Sequence, residues 1–244
     1  PGSGKSKILQ YLFAEHLHFH LRQAPEDRTP YPPLYLTYSE PLLKRAREEV
    51  RSILRCDATK NAAGNGRIDE RDLEQTTDQA FSEFRVFLRQ LLPEHRRREF
   101  DPQRFMDFLR FRQGWVPRAQ RAASPAVRQI TPEMAWHVVR TYIKGMRQEA
   151  ADYINPDWYA ELPKKHRTVT EERFREIYKH VWDDWYRELC AKDKWWDDQD
   201  LARAVLDLES LDIARYPAIF CDEAQDFTKV ELELTAEPTL PFEV

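Results

Sequence analysis

Apolar residues along this chain recur mostly at the three-to-four-residue spacing of helices, and only twice gather into short strand-like runs. Ser6 to about Arg22 reads as a helix that follows a glycine loop. After a proline-rich connector, Pro25 to Pro33, the run Leu34-Tyr35-Leu36-Thr37-Tyr38 predicts a short buried strand. Leu42, Leu43, Ala46, Val50, Ile53 and Leu54 then return to helical spacing, and Asn61 to Gly66 (NAAGNG) is expected to be a flexible loop. Leu73, Ala80, Phe81, Phe84, Leu88 and Leu91 predict a second long amphipathic helix over Asp69 to Leu92. Thr131-Pro132-Glu133 is a helix start, with the threonine hydroxyl as cap and proline where no amide donor is needed. The cleanest stripe is Phe174, Ile177, Tyr178, Val181, Trp182, Trp185 and Leu189. Asp197, Asp198 and Asp200 open a further helix, carried on by Leu201, Ala204, Val205 and Leu208, where carboxylates complement the helix dipole. Ala218 to Cys221 is the second candidate for a buried strand and runs into Asp222-Glu223-Ala224-Gln225-Asp226. Two strands therefore bracket about 180 residues of mostly helical sequence. That pattern predicts an α/β core whose chain leaves the sheet, builds a helical insertion and returns.

Composition narrows the class. Of 244 residues, 33% are charged and 12% aromatic, too many aromatics for a disordered chain. Only 6 glycines stand against 16 prolines, which disfavours an all-β sandwich with many tight turns. Apolar stretches such as Ala218 to Cys221 fall far short of the ~18 residues a membrane helix needs, so no membrane partner is expected. The three cysteines, Cys56, Cys190 and Cys221, are unclustered and form no disulfide framework. No signal-peptide pattern opens the chain, and an intracellular protein, cytoplasmic or nuclear, is the expectation.

The formal net charge of −4 hides an asymmetry. Residues 197–244 hold 13 acidic and 3 basic side chains, whereas the first 196 hold 29 and 35. Between Arg104 and Arg128, Arg110, Arg112, Arg118 and Arg121 interleave with Phe105, Phe108, Phe111 and Trp115. Arginines that track phosphates beside aromatics that stack bases would suit single-stranded nucleic acid. An amphipathic helix with a solvated face accounts for the same pattern.

The strongest local signal for chemistry is Pro1-Gly2-Ser3-Gly4-Lys5-Ser6. It matches the end of G-x-x-x-x-G-K-[ST], with the first glycine upstream of residue 1, so the chain is expected to be a piece of something longer. In such a loop the amides of Gly2, Ser3 and Gly4 curl around a polyphosphate, and the following helix points its positive end at the same anion. Lys5 would reach the β- and γ-phosphates of ATP, and the Ser6 hydroxyl would bind Mg²⁺. An ATPase of this kind also needs a carboxylate at the end of a neighbouring strand, with a base beside it. Asp222 fits the Mg²⁺ carboxylate and Glu223 the general base for the attacking water. Other clusters read more simply. His16, His18 and His20 do not share one helix face. The aspartates at 197, 198 and 200 suit a helix cap, Trp182 and Trp185 suit a core, and Cys221 suits packing.

Asp222-Glu223-Ala224-Gln225-Asp226 resembles motif II of the UvrD/Rep-like superfamily 1 helicases, in which the glutamine links the nucleotide site to the nucleic-acid-binding parts. Leu36 to Leu42 (LTYSEPL) is similar to that family's second motif, although Ser39 and Glu40 stand where many relatives carry Asn and Lys. Trp196 to Ala202 (WDDQDLA) is similar to the segment before motif II. Ile143-Lys144-Gly145, Tyr159 to Pro163 and Arg173 to Tyr186 resemble the branch that includes helicase-like tetratricopeptide and ankyrin repeat proteins. The resemblance implies a partial P-loop RecA-like parallel sheet with a large, mostly α-helical insertion. Its parts would be residues 1–55 of the core, an insertion over 56–195, and a return to the core over 196–244. It implies ATP and Mg²⁺ as cofactors, with Gln225 added to the nucleotide site. The partners it implies are single-stranded nucleic acid, DNA rather than RNA, and a second RecA-like domain of the same polypeptide. A degenerate module serving as an interaction or regulatory domain is the alternative.

Overall fold

A computed structural model describes residues 4–60, 68–147, 153–208 and 216–236; the NAAGNG stretch, Gly2 and Ser3 lie outside these. The chain divides into two compact units. One comprises Pro1–Leu91, Leu208–Asp226 and Thr235–Val244, the other Leu92–Asp207 and Phe227–Leu234. The fold is mostly helical, with one small parallel sheet.

The first unit is built on that sheet. Its strands are β1 (Leu34–Thr37), β2 (Phe81–Glu83) and β3 (Ile219–Cys221), in the order β2-β1-β3. Tyr35 pairs with Phe81 on one side and with Phe220 on the other. The central strand is buried throughout, as its unbroken apolar run requires. β3 is only half-buried, against the expectation of a buried strand, because among the described residues it has a neighbour on one side alone. Helix α1 (Lys5–Arg22) buries Phe13, Ala14, Leu17 and Leu21, and α2 (Glu40–Lys60) adds Leu43, Ala46, Val50 and Leu54. Both sets repeat every three or four residues, so each helix presents one apolar stripe. Phe13 meets one ring on each strand edge-on, with centroids 5.3 Å from Tyr35, 5.0 Å from Phe81 and 5.3 Å from Phe220.

The long helix expected over 69–92 is not continuous. Helix α3 (Glu70–Gln79), capped by Asp69 through the Arg71 amide, stops at Ala80. The chain extends as β2 and coils again as α4 (Phe84–Leu91). Tyr35 donates its amide to the Ala80 carbonyl at 2.8 Å, and the pairing with β1 overrides a local pattern that suits a helix equally well. Among the described residues the sheet therefore has three strands, not two, and the first segment of its unit runs to Leu91.

The second unit is a helical assembly around aromatic side chains. Phe111, Trp115, Tyr142, Phe174, Trp182 and Tyr186 are all buried in one core. Thr131 caps its helix by accepting the Met134 amide at 3.2 Å, with Pro132 in the first turn. The stripe from Phe174 to Leu189 is one helical run, α-helical over Glu171–Ile177 and Arg187–Asp193 and π-helical over Tyr178–Tyr186. At Gly145 a Cβ would lie 2.1 Å from the Arg140 carbonyl oxygen, a close approach that only glycine permits.

Asp197 caps the helix Asp198–Leu206 in a reciprocal box, accepting the Asp200 amide while the Asp200 carboxylate accepts its own. The same pair does more than cap. The fully buried Lys144 ammonium sits 2.6 Å from Asp197 Oδ2 and 2.6 Å from Asp200 Oδ2, and the Tyr186 hydroxyl donates to Asp197 at 2.8 Å. Burial opposes the Lys144 charge, but the two carboxylates together outweigh it and hold the amine protonated. Burial and then the neighbouring Asp197 push the Asp200 carboxyl up to about 6.

Candidate functional site

In the first unit, β1 and β3 end side by side, and the Asp222 amide donates to the Leu36 carbonyl at 2.9 Å. That bond carries the ladder one residue past β3 and fixes where the Asp222 side chain leaves the sheet. Asp222 is 7% exposed as a residue, so its carboxylate lone pairs require partners inside the protein. Three donors meet it. The Ser6 hydroxyl lies 2.9 Å from Oδ1, the Glu223 amide 3.0 Å from Oδ1, and the Tyr35 hydroxyl 2.8 Å from Oδ2. Burial, followed by the hydrogen bond to Asp222, drives the Tyr35 phenol well above its ordinary pKa, so it stays a donor.

The start of α1 is shaped for the same corner. Gly4 caps the helix at φ 72°, a left-handed conformation natural to glycine, and its carbonyl accepts the Ile8 amide at 3.0 Å. No side chain caps this end and no acidic residue occupies the first turn, so the carboxylate facing the positive end of this 18-residue helix comes from Asp222, through Ser6. On the far side of the corner Glu223 is also left-handed, at φ 55°, a conformation that costs a non-glycine residue about 1–3 kcal/mol. A short turn follows, closed by the Asp226 amide on the Glu223 carbonyl at 2.8 Å. The Gln225 side-chain amide donates to the Glu223 carboxylate, which is itself exposed.

Gly4, Lys5, Ser6, Asp222, Glu223 and Gln225 all line one pocket of about 670 Å³. These are six of the eight residues the sequence pointed to; the other two are Gly2 and Ser3. Two participants were not legible. Tyr35 reads only as a strand residue and Gln10 only as a helix residue, yet Tyr35 donates to Asp222 and Gln10 lines the pocket. Finding them needs the parallel register of β1 and β3, which no local pattern encodes.

A magnesium ion fits the chemistry of this donor set. Ser6 and Asp222 offer a hydroxyl and a carboxylate oxygen 2.9 Å apart at the rim of an open pocket. Mg²⁺ bound with a nucleotide takes one or two protein oxygens and completes its octahedron with phosphates and water. Among the described residues no three His, Cys, Asp or Glu side chains gather as a metal cage.

The remaining candidates have other places. His16 packs edge-on to Phe220 at 5.2 Å, and His20 is buried, its pKa lowered by burial and by Arg28. Burial pushes the Cys221 thiol up to about 11, as for a packing residue. In the basic stretch, Phe111 and Trp115 belong to the core of the second unit and present no face for a base. Arg110 and Arg128 are tied to backbone carbonyls there, at 2.6 Å to Phe105 and 2.8 Å to Ala122. The solvated-face reading of that helix is the better one. Among the described residues no helix is long and apolar enough to cross a membrane.

Fold and site together define a mostly helical α/β protein whose small parallel sheet ends in a serine–aspartate pair beside a helix N-terminus. No family model, curated protein or solved structure matches this chain.

Proposed function

We propose that the chain binds ATP with Mg²⁺ in this pocket and hydrolyses it as the first RecA-like motor domain of a superfamily 1 helicase. In the intact polypeptide the cycle would drive movement on single-stranded nucleic acid, DNA rather than RNA, with a second RecA-like domain closing on the nucleotide. The observation that carries this reading is the 2.9 Å contact between Ser6 and Asp222, residues 216 positions apart in sequence. Two motifs proposed to share one ion meet at the oxygens that would hold it.

The residues divide the work. Amides of Gly2, Ser3 and Gly4 and the start of α1 receive the phosphate oxygens, an arrangement that favours anions. Lys5 brings a mobile positive charge to the β- and γ-phosphates. Ser6 and Asp222 would hold the Mg²⁺, which would supply positive charge against the phosphates. Glu223 orients a water and takes its proton as the water attacks, and Gln225 holds the Glu223 carboxylate and reports the state of the nucleotide to the nucleic-acid-binding parts.

The test is nucleic-acid-stimulated ATP hydrolysis by the intact polypeptide, since this part alone is expected to be inactive, with binding of a fluorescent ATP analogue as a second readout. Lys5→Ala should weaken binding and abolish turnover. Glu223→Gln should abolish turnover and leave binding within about twofold, because it keeps the shape and hydrogen-bonding reach of the side chain. Undiminished hydrolysis in both variants would overturn the proposal.

A further inference from the structure

The carboxylate of Asp222 has two unequal sides. Oδ1 meets Ser6 and the Glu223 amide at the pocket, whereas Oδ2 turns inward to the Tyr35 hydroxyl at 2.8 Å. Tyr35 is well placed to act as a fixed point. It is completely buried on the central strand, paired on both sides, and packed against Phe13 and Phe81 with centroids 5.3 and 5.2 Å away. Ser6 and Tyr35 thus hold the two oxygens of Asp222, which ties the start of α1 and the middle of β1 to the end of β3.

We infer that Tyr35 is a positioning residue for the metal: by holding Oδ2 it stops the Asp222 carboxylate from rotating and keeps Oδ1 turned toward Ser6 and the bound Mg²⁺. The inference rests on the Mg²⁺–ATP reading above. Partners that orient a ligand in this way typically contribute ten- to a hundredfold to metal affinity. Magnesium is the ion most sensitive to such a defect, because it demands near-ideal octahedral geometry.

The experiment is a Mg²⁺ titration of fluorescent ATP-analogue binding to the whole chain, wild type against Tyr35→Phe, repeated in EDTA. Tyr35→Phe keeps the ring and its packing and removes only the donor. The expected result is a Mg²⁺ requirement raised about tenfold or more, with metal-free nucleotide affinity unchanged within twofold. In an Asp222→Ala background the same substitution should add less than a twofold change. Tyr35→Leu, which removes the same donor from Asp222, should shift the Mg²⁺ requirement in the same direction and carries the test if Tyr35→Phe does not fold. An unchanged Mg²⁺ requirement, or an equal shift without Asp222, would overturn the inference and leave the ATP reading standing. Absence of any Mg²⁺-dependent nucleotide binding by the wild type would overturn both.

Discussion

Replacing Lys144 with methionine should be among the most damaging single changes in the second unit, and the damage should depend on pH. Lys144 is fully buried and makes two contacts of 2.6 Å, to Asp197 and Asp200. Methionine fills a similar volume, so the loss is electrostatic, with little cavity left behind. Removing one partner of a buried ion pair leaves uncompensated charge and costs about 3–5 kcal/mol, far more than the net worth of the pair. The two carboxylates would not suffer equally. Asp197 keeps the Tyr186 hydroxyl at 2.8 Å and the Gln199 and Asp200 amides, whereas Asp200 keeps only the Asp197 amide. Asp200 already sits at about 6 with the lysine present and rises further without it. A carboxyl whose folded pKa lies above its unfolded value binds more protons in the folded state, so its destabilising effect grows as pH rises through that interval. The stability gap between wild type and Lys144→Met should therefore be full at pH 7.5 and clearly smaller at pH 5. Urea unfolding at both pH values, followed by the fluorescence of the buried Trp182 and Trp185, measures it. A gap under about 1 kcal/mol at pH 7.5, or one that does not narrow in acid, would refute the reasoning.

Two further outcomes follow from the first unit. Phe13→Ala removes a ring that touches β1, β2 and β3 and should cost about 3–5 kcal/mol in a chemical-denaturation midpoint series, with the sheet losing a common contact. His20 is buried beside Arg28, which lowers its pKa below the ordinary 6.5, so the unfolded chain takes up a proton that the folded one refuses. Stability from this residue is present above 6.5 and lost as pH falls toward the depressed value, and His20→Gln should flatten the unfolding midpoint over that window.

Much of this architecture is legible along the chain, for identifiable reasons. The strands at 34–37 and 219–221 stand out because their apolar runs are bounded by prolines and by an acidic turn. The cap at Thr131 and the box at Asp197 are local chemistry, fixed within three residues. β2 is not legible, because three residues are too few for a period-two pattern and Phe81, Phe84 and Leu88 also suit a helix. The partner of Lys144 is hidden for a different reason. Asp197 and Asp200 already have a sufficient local explanation as helix caps, and only packing shows that the same two carboxylates neutralise a lysine 53 and 56 positions away. The site divides along the same line. Residues that act through a loop motif can be read, and Tyr35, which acts through strand register, cannot.

The arrangement around Asp222 also explains where strain sits in the first unit. Glu223 adopts φ 55° immediately after a carboxylate held by three donors, and its own amide is one of the three. The Asp222 backbone sets the Glu223 amide toward Oδ1, and the positive φ at Glu223 then turns the chain into the short bend closed by Asp226, with the Glu223 side chain at the pocket beside Gln225. The cost of about 1–3 kcal/mol is sustained because neighbouring contacts over-determine the turn: the ladder bond from Asp222 to Leu36 on one side and the Asp226 amide on the other. Strain, the buried carboxylate and the exposed one therefore coincide at two adjacent residues, the first of them anchored to the middle strand through Leu36 and Tyr35. The central strand supplies both anchors, by a backbone carbonyl and a side-chain hydroxyl.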